Sequence, residues 1–198
     1  LSRGIAFFDF DGTITTQDTM IELIKFSKGS SAYYKGLSLL SPVMVAMKLN
    51  LVSTTYAKER LLSFFFKNLP ISDFENLCHS FTQERLPEII RPLAIEKINE
   101  HRSAGDEVMI VSASASHWVA PWSNQLQIPL LSTVLEIKNG MITGKLASPN
   151  CNGPEKVRRI KESVDISRYE KIWCYGDTKG DKPMLQLATF AFYKPFRN

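Results

Sequence analysis

Cysteine is scarce in this chain, with Cys78, Cys151 and Cys174 the only three among 198 residues. An odd number without metal-ligand spacing argues against a disulfide framework and for a reducing compartment, so each reads as a small buried hydrophobe. Long apolar runs are lacking too. Crossing a membrane takes about 20 apolar residues, and the stretch 37–52, LSLLSPVMVAMKLNLV, falls short of that. The first apolar run is brief and leads straight into Asp9 and Asp11, unlike a signal peptide, which makes the cytoplasm the expected compartment. Charge is not strongly one-sided. A net +4 suits an anionic substrate but falls short of a nucleic-acid footprint, and no DNA- or RNA-binding module is evident, so no nucleic-acid partner is expected. With 44% hydrophobic and 22% charged residues, the composition is ordinary for a globular protein with one good core and room for a small second one.

The most informative stretch is Ile5-Ala6-Phe7-Phe8-Asp9-Phe10-Asp11-Gly12-Thr13. An apolar, aromatic-rich run ending at a Gly-containing turn predicts a strand buried on both faces, as in parallel sheets. In such sheets ligands bind at the carboxyl ends of the strands, where Asp9 and Asp11 emerge. Two buried acids there need compensation, which a hard divalent cation would supply. The plainer reading is a strand followed by an Asp-Gly turn.

Further along, Met20, Ile21, Leu23, Ile24 and Phe26 recur at helical steps, and Gly29-Ser30-Ser31 breaks them. Ser41-Pro42 looks like a helix start. Residues 37–52 are expected to be buried against other helices. A membrane-touching surface is the second reading, because residues 19–69 carry seven Lys and Arg against only Glu22 and Glu59. Residues 16–85 thus read as an all-helical insertion. One helix is expected from about 87 to 104, then a strand at Val108-Met109-Ile110-Val111 that ends in Ser112-Ala113-Ser114, then a helix capped by Ser116. Asn139-Gly140 predicts a hairpin between 132–137 and 141–146. Lys156 starts a helix after Gly153-Pro154. A further buried strand, Ile172-Trp173-Cys174-Tyr175, ends at Gly176-Asp177, four residues before Asp181, and Phe190-Ala191-Phe192-Tyr193 reads as the last strand. The alternation predicts an α/β fold with a doubly wound parallel sheet, and strand ends or helix starts presenting Asp9 with Asp11, Ser112, Lys156, and Asp177 with Asp181.

Phe8-Asp9-Phe10-Asp11-Gly12-Thr13 resembles the first motif of the haloacid dehalogenase superfamily, and the four sets together resemble its four motifs in order and type. The resemblance covers the whole chain and is nearest the phosphoserine phosphatase-like subgroup, which inserts a helical cap between its first and second motifs. It implies a Rossmann-like core of residues 1–15 and 86–198, a cap of residues 16–85, and a phosphatase that works through an aspartyl-phosphate. Asp9 is then the nucleophile and Asp11 the acid and base, while Lys156 supplies positive charge. Mg²⁺ would be held by Asp9, Asp177 and the backbone carbonyl of Asp11. Gly12, Thr13, Ser112 and Ala113 would bind phosphoryl oxygens, and Asp181 would orient Lys156 or a metal-bound water. Lys161 and Lys179 compete with Lys156 for its role, and His117 near the second motif is a weaker catalytic candidate.

The expected substrate is a small, phosphoserine-like phosphorylated metabolite, but the spelling departs from phosphoserine phosphatases. Asp18 stands where they carry Glu, Ala113-Ser114 stand where they carry two glycines, and Lys156 lies three residues after Gly153 instead of just before a glycine. Arg60 has no clear counterpart. A phosphatidylglycerophosphate-type lipid phosphatase, with peripheral membrane contact through the cap, is one alternative. The others are a non-hydrolytic phosphoacceptor module and a phosphotransferase.

Overall fold

The computed structural model describes residues 4–197. Strand β1 (Gly4–Phe8) is buried along its whole length. Its side chains divide by the pleat's period of two. Ile5 and Phe7 pack with Val111, Ile160, Ile172, Cys174 and Met184. Ala6 and Phe8 pack on the opposite face with Val108, Ile110, Tyr175, Ile98 and Trp118.

The other strands are β2 (Glu107–Ala115), β3 (Leu130–Thr133), β4 (Leu135–Lys138), β5 (Met141–Leu146), β6 (Lys171–Gly176) and β7 (Phe190–Tyr193). Five of them form a parallel sheet in the order β3-β2-β1-β6-β7. The helices are α1 (Thr19–Lys28), α2 (Ser30–Leu39), α3 (Ser41–Lys48), α4 (Thr54–Phe66), α5 (Ile71–Glu84), α6 (Leu86–Ile89), α7 (Pro92–Ser103), α8 (Ser116–Gln125), α9 (Pro154–Ser163) and α10 (Lys182–Leu185). Helices α9 and α10 cover one sheet face, through Ile160 and Met184. Helices α7 and α8 cover the other, through Ala94, Ile98, Trp118 and Val119. The sheet is therefore doubly wound, as its sequence pattern predicts. The chain runs from β1 outward through β2 and β3, then crosses to β6 and β7 on the other side, which puts the switch point at the carboxyl ends of β1 and β6.

Between β1 and β2 the chain is helical. Asp18 caps α1 by accepting from Ile21 N at 3.1 Å, and Ser53 caps α4 by accepting from Tyr56 N at 3.0 Å. Glu22 docks α1 onto Arg85 at 2.7 Å and pairs with Lys25 of its own helix at 2.9 Å. Leu62 and Phe66 of α4 and Phe74 of α5 join the apolar cluster that contains Phe8, so the insertion shares the core of the sheet. The hairpin turns where Asn139-Gly140 predicts it, with positive φ at both residues (51° and 72°), as a two-residue turn requires, but its first arm is β4 alone, because residues 132 and 133 belong to β3 of the parallel sheet. Its strand β5 receives the α4–α5 connection: Asn68 N donates to Ile142 O at 2.8 Å and Ile142 N to Leu69 O at 2.9 Å.

Three local expectations need correction. The expected helix from 87 to 104 is broken into α6 and α7, because Pro92 disfavours helical backbone at Arg91 (ψ 119°), and Ile90 bridges Thr15 as extended chain. Ser116 is the first residue of α8, and Ala115 occupies the cap position. Residues 37–52 are not buried as a block. Helix α3 contains no buried residue, and Leu39, Val45, Leu49 and Leu51 are 55–74% exposed, because among the described residues no element covers the outer side of α3. Among the described residues no helix is long and apolar enough to cross a membrane.

Candidate active site

Beyond Phe8 the chain leaves the sheet in a tight turn over Phe10–Ile14. Gly12 holds a φ of +78° there, and a Cβ at that position would lie 2.4 Å from Asp177 Oδ2. Only glycine allows both the backbone conformation and the close approach of the β1 and β6 ends. The turn sends Asp9 and Asp11 to different partners.

Asp9 faces the sheet ends. Its Oδ1 accepts from Lys156 Nζ at 2.6 Å, and its Oδ2 accepts from the Thr13 hydroxyl at 3.1 Å. Lys156 is 1% exposed and donates also to Asp181 Oδ1 and Val111 O, each at 2.7 Å. Asp181 Oδ2 in turn accepts from Asp177 N, Thr178 N and the Thr178 hydroxyl. Of the three competing lysines, Lys156 is the one that reaches the acids.

Asp11 faces the insertion. Its Oδ1 accepts from Thr19 N at 2.7 Å and the Thr19 hydroxyl at 2.5 Å, and its Oδ2 accepts from the Ser114 hydroxyl at 2.6 Å. Trp118 Nε1 donates to the Thr19 hydroxyl at 3.1 Å and locks that group.

Charge around Asp9 is out of balance. Carboxylate oxygens of Asp9, Asp177 and Asp181 come within 4.8 Å of one another, and Lys156 is the single buried cation among them. Burial pushes the Asp9 carboxyl up to about 7, Lys156 offsets part of the shift, and Asp181 and Asp11 add to it. Burial and the neighbouring Asp181 likewise raise Asp177, against a pull from Arg197, whose guanidinium sits 2.7 Å from Asp177 Oδ2. Burial alone would raise Asp181, but Lys156 and the Thr178 donors bring it below the ordinary range. Lys156 is held above the usual lysine value, because Asp9 and Asp181 outweigh the effect of burial. The buried Asp177 Oδ1 has no hydrogen-bond partner. An orphaned acceptor beside under-compensated carboxylates is what an oxygen-ligated divalent cation would satisfy, so Asp9 and Asp177 fit a Mg²⁺ site. Both oxygens of Asp9 and of Asp181 carry hydrogen bonds, so Asp177 is the acid with an acceptor left open.

A cavity of about 200 Å³ opens over these groups, lined by Asp9, Asp11, Lys156, Lys58, Ala113 and Ser114 among others. Asp9, Asp11, Ala113, Lys156 and Asp181 line it, with Gly12, Thr13, Ser112 and Asp177 beside them, though some are engaged differently from the expectation. The Thr13 hydroxyl points to Asp9, and Gly12 N donates to the Thr15 hydroxyl at 3.2 Å. Ser112 is fully buried, with its Oγ accepting from Ser114 N, and the cavity wall itself is Ala113 and Ser114. His117 lies apart, in a second cavity with Glu75 and His79. Thr19, Ser114, Lys58 and Arg197 escape sequence reasoning. The one signal was the second hydroxyl in Ser112-Ala113-Ser114, spaced to fall on the same side of an extended chain.

A family model of haloacid dehalogenase-like hydrolases matches residues 6–186. The chain belongs to that family. Protein CicA of Caulobacter vibrioides is 32% identical over 192 residues, covering 96% of this chain and 85% of that protein. Among solved structures, a protein of unknown function from Bordetella pertussis Tohama I superposes with a TM-score of 0.81 at 19% identity, over 96% of this chain and 88% of that one. A phosphoserine phosphatase solved as a phospho-aspartyl intermediate analogue superposes with a TM-score of 0.68 at 18% identity, over 95% of this chain and 84% of that one. The haloacid dehalogenase-like fold therefore takes the form that phosphoserine phosphatases share.

Proposed function

We propose that the protein is a phosphatase, a Mg²⁺-dependent phosphoric monoester hydrolase in which Asp9 is the nucleophile and Asp11 the general acid and base. One observation carries this reading: two carboxylates leave one strand end, one gripped by the buried Lys156 and the other held by Thr19 and Ser114. The Lys156 contact orients Asp9 and offsets the repulsion between a carboxylate and a dianionic ester. Attack by Asp9 breaks the bond to the leaving oxygen and forms an aspartyl-phosphate, dividing one difficult displacement into two. Asp11 donates a proton to the leaving oxygen and then takes one from the water that hydrolyses the phosphoenzyme. Ser114 can reverse its hydroxyl to follow that proton, since Ser and Asp11 each donate or accept according to protonation. Mg²⁺ held by Asp9, Asp177 and the Asp11 carbonyl would supply the remaining positive charge for the phosphoryl oxygens. Backbone N–H groups at Gly12 and Ala113, with the Thr13 and Ser112 hydroxyls, would complete the phosphoryl cradle, and Asp181 keeps Lys156 in place.

In this reading residues 16–85 are a cap on a core of residues 1–15 and 86–198. A phosphoserine substrate draws support from the likeness in fold. Against it, Asp18, which stands where phosphoserine phosphatases carry Glu, is engaged through Oδ1 as the cap of α1.

Phosphate release from a panel of monoesters, with Asp9→Asn as the blank, tests the assignment. Release that needs Mg²⁺, stops on chelation and falls at least about a thousandfold in Asp9→Asn is the expected result. Release that survives Asp9→Asn would overturn it. A phosphoenzyme that persists for minutes would favour the phosphoacceptor reading instead.

A further inference from the structure

The catalytic cavity does not close behind the carboxylates. It shares Asp18, Met20, Lys58 and Asn152 with a second cavity of about 280 Å³. The character of the wall changes there. Beyond Met20 and Lys58 the lining is mainly apolar, with Ile21, Leu37, Met44, Met47, Ala57 and Leu61 from four helices of the insertion, and Tyr33, Thr54 and Asn150 supply its polar atoms. An ester with its phosphorus at Asp9 and its organic part directed toward α3 would pass from carboxylates and lysines into an apolar sleeve. Methionine suits such a wall, because an unbranched thioether adapts to chains of different shape. The volume lies at the small end for ligand sites, which fits one apolar chain better than two.

The outer side of the same helices is also apolar. Met44 and Met47 line the cavity, while Val45 between them is 55% exposed, and Leu39, Leu49 and Leu51 are 70%, 63% and 74% exposed. Lys35 and Lys48 are exposed on the same segment. The only acids in residues 19–69 are committed elsewhere. Glu22 is paired with Lys25 and Arg85, and Glu59 accepts from Leu146 N at 2.9 Å. The exposed face is thus both apolar and basic, complementary to an anionic bilayer surface.

We infer that the substrate is an amphiphilic phosphomonoester with a single apolar chain, lodged in the Met44–Met47 cavity and taken up from an anionic bilayer against which α3 docks. This rests on the phosphatase reading and names its substrate class.

The test uses the full chain with Mg²⁺ and n-alkyl phosphates from ethyl to dodecyl, kept below their micelle concentrations. The expected result is a kcat/KM that climbs about three- to fourfold per methylene until the cavity is filled, the increment of burying one CH₂ group. A flat series with Asp9-dependent release from the short esters overturns the chain pocket and leaves the phosphatase reading standing. Release from none of the esters, short or long, overturns both. In parallel, sedimentation with vesicles of phosphatidylglycerol should carry the protein down, and vesicles of phosphatidylcholine should not. Val45→Glu with Leu51→Glu should abolish that binding at an unchanged melting temperature. Binding that survives these substitutions overturns the docking face. Self-association without vesicles that the same substitutions abolish would do so too, by assigning the face to a second copy of the chain.

Discussion

The carboxyl ends of β1 and β6 and the outer helix α3 are built in opposite ways. At the strand ends Lys156 is tied to three acceptors on three segments, and Asp11 receives three hydrogen bonds. No single partner decides where either side chain points. Helix α3 contains no buried residue, and Leu39 at the end of α2 and Leu49 and Leu51 after α3 are left in water. In the proposed reading, groups that position a reacting atom are over-determined, whereas a surface that meets a variable apolar partner needs shape and charge more than precise position.

The largest effect expected from breaking this contrast is at Asp11. Asp11→Asn should lower phosphate release by about 10²–10⁴-fold. The melting temperature should stay near wild type, because the amide oxygen still accepts from Thr19 and the amide NH2 can donate to a reversed Ser114 hydroxyl; an equal loss of folding would mean that Asp11 serves the structure first. Next is Lys156→Met, which leaves Asp9 and Asp181 buried together without their cation. Urea unfolding in the absence of metal should show a loss of about 3–5 kcal/mol, and a loss below about 1 kcal/mol would remove the distinction between the two regions.

A smaller effect is expected at Glu22, which anchors α1. Burial pushes its carboxyl up, but Lys25 and Arg85 together pull it below its ordinary value of 4.5. A folded value below the unfolded one stabilises above about pH 4.5 and is lost as the pH falls through the folded value. Glu22→Gln should therefore cost about 1 kcal/mol at neutral pH, since its partners lie partly in water. Denaturant titrations of variant and wild type should converge in acid. Val45→Ser with Leu51→Ser should change the unfolding free energy by less than about 0.5 kcal/mol. A larger loss would show that α3 is packed more firmly than its exposure implies.

The sequence alone determined the doubly wound sheet, the helices between β1 and β2, and the placing of Asp9, Asp11, Lys156, Asp177 and Asp181 at strand ends and helix starts. Buried parallel strands need continuous apolar runs, and their ends are marked where polar residues and glycine interrupt them. Asn139-Gly140 located the hairpin for a similar local reason, the need for positive φ at two successive residues. Tertiary structure alone decided which groups answer those acids. Nothing local separates Thr19 from any other residue at a helix start, or Ser114 from Ser112, until β2 and α1 are brought beside Asp11. The fate of residues 37–52 was decided in the same way. An apolar helical stretch reads alike whether its outer side meets protein or water, and only the packing of α2, α3 and α4 shows that Met44 and Met47 turn inward to the cavity while Val45 is left outside.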